Sequence, residues 1–219
     1  MVNTALTNGA DPLRDLAVSY APKGARAGVT ALFALDAALG RILRTTSEPM
    51  VGQMRLAWWR EALARLDVTA SPAEPVLQAV ARDALPLGAT GGALARMVDG
   101  WEILLGDLGD DALTSHAIER GVVLFEQVGR VTGASPDDPL APAGQGWALA
   151  DLAANVGDAE VAGRARVMAT DAFRDMTGKR WSRRGRALGA LSLAAQLALD
   201  GPPRPWWVAR LAWHRMSGR

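Results

Sequence analysis

The chain has 219 residues, 49% apolar and 21% charged, with 24 basic and 23 acidic groups, so it can bury a core unaided and is too apolar to be wholly disordered. It has no cysteine, which excludes disulfides, thiolate metal sites and a cysteine nucleophile, and its two histidines, His116 and His214, are too few for a histidine-rich metal site. The longest uncharged run, 187–199, is 13 residues, too short to span a bilayer, and the N-terminus has neither the basic nor the apolar region of a signal peptide. A cytoplasmic protein of one domain, 1–219, is expected.

The periodicity predicts helices throughout. Asp11-Pro12 opens a short one that runs to Tyr20 and is stopped by Pro22. Over 24–44, Val29, Leu32, Phe33, Leu35, Leu39, Ile42 and Leu43 recur every three or four residues. Glu48-Pro49 starts the next helix, with Met50, Met54, Trp58, Ala62 and Leu66 as its apolar stripe. Further helices are expected near 75–84, 90–105 and 111–131, the last capped by Asp110. The text GASPDDPLAP, 133–142, is the most loop-like in the chain. Helices near 143–155, 158–177, 185–200 and 205–216 follow. No alternating strand pattern occurs, so about nine helices form a single all-α domain.

The sequence carries few common site motifs. There is no phosphate loop, dinucleotide fingerprint, nucleophile elbow or zinc spacing. Carboxylates four apart, which share a helix face and can hold magnesium, occur at Asp11/Asp15, Asp107/Asp111 and Asp171/Asp175. Only Asp171/Asp175 lies in a helix interior, and its neighbours Arg174, Lys179 and Arg180 favour a solvated charged face.

The block ALFALDAALGRILRTTSEPMVGQMRLAWWREAL, 31–63, resembles the squalene/phytoene synthase family, most sharply at Arg55-Leu56 and Trp58-Trp59-Arg60. The likeness continues through Val98-Asp99-Gly100, FEQVGRVTG (125–133) and GQGWALADLAANV (144–156), and covers most of the chain. The resemblance implies an isoprenoid-synthase-like bundle around a central apolar cavity. It also implies head-to-head condensation of prenyl diphosphates, with two Asp-x-x-x-Asp motifs holding magnesium against the leaving diphosphate.

The sequence departs from the family there. Asp36 has Gly40 as its i+4 partner, and the second motif reads Asn155-Val156-Gly157-Asp158-Ala159. The likeness is closest to a degenerate branch that includes the mitochondrial complex I assembly factor and its bacterial relatives. Two readings follow. In the first, Asp36, Asp151 and Asp158 are vestigial, no metal cofactor is held, and the protein binds a prenyl lipid or a protein partner. In the second, it is an active magnesium-dependent prenyltransferase acting on prenyl diphosphates.

Arg55, Trp58 and Trp59, with Met54, are the candidates for lining a prenyl-shaped cavity. The alternative is an amphipathic helix whose tryptophans pack the core while Arg55 reaches solvent. Asp36 lies in an apolar run and calls for a cation such as Arg55 or Arg60. Asp99 and Glu102 read as a solvated surface beside Trp101.

From Lys179 onward there are nine basic residues and one acid, net +8, against net −7 before it. Arg180, Arg183, Arg184 and Arg186, with Trp181, Trp206, Trp207 and Trp213, suit an anionic membrane surface or an acidic protein partner. They equally suit arginine stems covering apolar faces and pairing with the acidic body. Membrane binding would place the protein peripherally at the inner face. Nucleic acid is not expected, since no reading motif is present and the overall charge is near neutral.

Overall fold

The computed structural model describes residues 15, 18–46, 48–202 and 204–219. Most of the helix expected over 11–20 lies outside them. The described α-helices are α1 Arg26–Thr45, α2 Pro49–Arg65, α3 Pro75–Asp83, α4 Gly91–Glu102, α5 Asp110–His116, α6 Val123–Thr132, α7 Leu140–Asn155, α8 Ala159–Arg174, α9 Arg186–Leu199 and α10 Trp206–Ser217. A π-helical turn, Ala117–Val122, joins α5 to α6 into one continuous rod. Counted once, that rod makes nine helices and no strand among the described residues. The all-α expectation holds.

Local chemistry sets most boundaries. The Glu74 carboxylate accepts from the Leu77 N–H, and the Thr90 hydroxyl from the Ala93 N–H, at the starts of α3 and α4. Gly133, at positive φ, ends α6. Two expectations shift. Asp110 is the first residue of α5 rather than its cap, which is Gly109. Helix α7 begins at Leu140 because Pro142, in its first turn, needs no amide partner.

Helix α1 is buried on almost every side, between α3, α6, α2 and α4, and carries Leu32, Phe33, Leu35 and Leu39 into the main core. Trp181, Leu188, Leu191 and Leu211 join the same core, so the basic C-terminal part is integral to it. A second cluster, with Leu113, Leu149, Ala165 and Phe173, lies between α5, α7 and α8.

The stripe expected on α2 is corrected. Leu56, Trp59, Ala62, Leu63 and Leu66 are buried, whereas Met50, Met54 and Trp58 are exposed. Steps of four drift about 40° each around a helix, so the predicted stripe cannot hold one face over its length. The 56/59/63/66 spacing holds it, against α4.

Candidate functional site

The π turn places the charge that organises the centre. At Gly121, a Cβ would lie 2.1 Å from the Gly144 carbonyl oxygen, and at Gly144, 2.3 Å from that of Gly121. Only this glycine pair lets the π turn and α7 touch backbone to backbone. Arg120, on that turn, is thereby brought between α1 and α7 and is almost wholly buried.

Its guanidinium is held by carboxylates on two sides. Nε donates to Asp36 Oδ1 at 2.8 Å and Nη2 to Asp36 Oδ2 at 3.0 Å. On the other side, Nη1 lies 2.7 Å from Asp151 Oδ2. The Trp101 indole N–H donates to Asp36 Oδ1 at 3.0 Å. Arg120 Cζ lies 4.0 Å from the Trp101 ring centroid and 4.7 Å from that of Trp147, so two aromatic faces attract the cation as well. Burial works against the charge on Arg120, but Asp36 and Asp151 outweigh it and raise its pKa above the ordinary arginine value.

The partner expected for Asp36, Arg55 or Arg60, is therefore corrected. Arg55 is exposed and donates to the Thr46 hydroxyl at 3.1 Å. Arg60 pairs with Asp99, at 2.6 Å, and with Glu102. Asp99 and Glu102 are thus tied to the body rather than free on its surface, and they line a shallow open groove of about 370 Å³ with Gln53, Ile103, Leu105 and Gly106.

The neutral residues of the two motifs are also built in. A Cβ at Gly40 would lie 2.7 Å from the Trp101 indole, so this ring stands where a second carboxylate would start. Asn155 donates from Nδ2 to Asp151 Oδ1 at 3.1 Å, one turn back along α7. His116, just before the π turn, is fully buried, and its Nδ1 must donate to the Gly100 carbonyl at 2.6 Å, since that oxygen can only accept. Burial above all, then the Arg120 charge, pushes its pKa down to about 4. Its Nε2 makes no hydrogen bond.

The magnesium implied by the family resemblance does not fit these residues. Asp36 and Asp151 are bridged by a guanidinium that cannot lose its proton, and Gly40 and Asn155 supply no further charge. No cluster of three or more His, Asp or Glu suited to a metal occurs among the described residues.

The other expected site residues are dispersed. Asp158 does not converge with Asp36 and Asp151. It is exposed and caps α8, accepting from the Glu160 and Val161 N–H groups, which lower its pKa. Asp171 pairs with Arg174 on the exposed face of α8, and Asp175 is exposed beside it. Trp59 is in the core and Trp58 is 46% exposed, so neither they nor Arg55 gather around Asp36.

In the C-terminal part, Trp181 and Trp207 are buried and leave the proposed outer surface, whereas Trp206 and Trp213 stay on it. Arg180 donates to the Ser217 carbonyl and Arg186 to that of Arg215, which ties them to the end of α10. The expected pairing with the acidic body is not found. Among the described residues, every ion pair lies before Lys179.

Arg120, Trp101, Trp147 and His116 were missed from the sequence. The available signal was Arg120 itself, one charge at the start of the apolar run GVVLF.

Residues 8–167 match the model of the Squalene/phytoene synthase family. The chain belongs to that family. No curated protein and no solved structure matches it. The family match holds Asp36, Arg120 and Asp151 together and ends within α8, so the Arg- and Trp-rich part from Lys179 lies beyond it. Among the described residues, no helix is long and apolar enough to cross a membrane.

Proposed function

We propose that this member of the squalene/phytoene synthase family performs no prenyl transfer and acts by binding, in the manner of the family's assembly-factor branch. The observation that supports it is Arg120 bridging Asp36 and Asp151. Ionisation of a prenyl diphosphate needs cationic charge aimed at the departing oxygens. Here the one buried cation at the centre faces two carboxylates, and its planar surfaces are covered by Trp101 and Trp147. It is buried behind these groups and is not presented to a diphosphate. On this reading no metal cofactor is required, and the retained bundle serves as a platform for a prenyl lipid or a protein partner.

The test is incubation with farnesyl or geranylgeranyl diphosphate and magnesium, measuring diphosphate release. Release no faster than without protein is expected. Turnover that disappears in Asp36→Ala would overturn the proposal and restore the transferase reading.

A further inference from the structure

Helix α10 has two apolar faces, and among the described residues only one of them is packed against the body. At about 100° per residue, Trp207, Leu211 and His214 share the side that is buried against α9. On the opposite side stand Trp206, Ala209, Ala212, Trp213 and Met216, all exposed, with Trp206 at 50%, Trp213 at 55% and Met216 at 68%. Arg210 borders this second strip on one flank and Arg215 on the other. The helix contains no acidic residue, and Asp200 is the single acid after Lys179.

We infer that this outer face of α10 is a docking surface for an anionic lipid bilayer. The inference goes beyond the reading of the Asp36–Arg120–Asp151 centre and does not depend on it. Two bulky indoles turned to solvent cost free energy unless an apolar phase receives them. Tryptophan suits the boundary between headgroups and acyl chains, because its ring is apolar and its N–H stays wet. Arginines on both edges can lay their stems along the strip and raise their charges to the phosphate level.

The charge is available for this purpose. Arg210 donates to the Arg219 oxygen at 3.0 Å, and Arg215 lies 5.0 Å over the Tyr20 ring, but among the described residues neither pairs with an Asp or Glu. The surrounding segment adds Arg183, Arg184 and Arg204, also without one. The body does not absorb this field even where it could. Buried Asp138, which touches the segment, accepts instead from the backbone N–H and hydroxyl of Ser182 at 2.7 and 2.6 Å. A two-sided arginine border around an apolar strip matches a planar anionic surface, with the indoles at the depth of the headgroup boundary.

The experiment is co-sedimentation of the full chain with vesicles of phosphatidylcholine alone or mixed with phosphatidylglycerol, at low and high salt, beside retention on a polyglutamate resin. Wild type should pellet with the mixed vesicles, not with phosphatidylcholine alone, and should be released by salt. Trp206→Ser/Trp213→Ser should weaken binding about tenfold or more. Arg210→Gln/Arg215→Gln should weaken it roughly 25-fold, about fivefold for each charge. All four side chains are exposed, so unchanged thermal melts keep the variants comparable. The inference fails if wild type does not pellet, if it pellets equally with both vesicles, or if either variant binds like wild type. Retention on polyglutamate without vesicle binding would overturn it in favour of an acidic protein partner.

Discussion

The centre of the bundle and its C-terminal helix treat arginine in opposite ways. Arg120 is buried, and its fork is divided between Asp36 and Asp151 while Trp101 and Trp147 cover its faces. Arg210 and Arg215 are exposed on the edges of an apolar strip and, among the described residues, pair with no Asp or Glu. A cation satisfied from within is structural and closed to ligands. One without an acidic side chain beside it, next to exposed indoles, keeps its charge at the surface. On the proposed reading, the residues that resemble a catalytic centre hold the fold together, and the proposed docking face lies outside the family match.

The largest test of this contrast is removal of the buried cation. Arg120→Met leaves Asp36 and Asp151 facing each other, and a loss of about 3–5 kcal/mol in unfolding free energy is expected by denaturant titration. Asp36→Asn in the same chain should recover part of that loss, because one uncompensated charge is gone. Stability unchanged by Arg120→Met would show that the network does not hold the centre.

His116 should make the same region sensitive to acid. Its folded pKa, about 4, lies below the ordinary 6.5, so the unfolded chain takes up the proton first. Stability should fall as pH drops from 6.5 to about 4, by roughly 3 kcal/mol from this group, and level off below. Unfolding midpoints of His116→Gln should be flatter across that window than those of wild type. Parallel curves would remove His116 as the cause.

Rebuilding the first motif should fail for a packing reason. Gly40→Asp drives a side chain into the Trp101 indole and should cost about 1–3 kcal/mol in stability. It should also bring no diphosphate release with magnesium. Gain of turnover would mean that Trp101 yields and the metal site is recoverable.

The smallest effect belongs to the outer face. Arg210→Gln and Arg215→Gln should each change stability by less than about 0.5 kcal/mol, measured by denaturant titration, because both are exposed and pair with no Asp or Glu among the described residues. A larger loss would make these residues part of the fold rather than of a surface.

Much was legible in the sequence because helix formation is local. Apolar spacing and the proline at Pro49 place the helices to within a few residues, and the 31–63 text points to the family. Asp36, an acid in an apolar run, announced that it needed a cation. Which cation was decided in three dimensions. Arg55 and Arg60 are nearer in sequence, but α2 turns them outward, and Arg120, 84 positions away, arrives through a π turn and a Gly121–Gly144 contact. Composition likewise shows a C-terminal excess of arginine and tryptophan, yet only packing separates Trp181 and Trp207, which fill the core, from Trp206 and Trp213, which do not. Helical periodicity is written within a few turns of chain. Charge pairing and exposure depend on which helices meet, and that is set by side-chain volumes summed over the whole bundle.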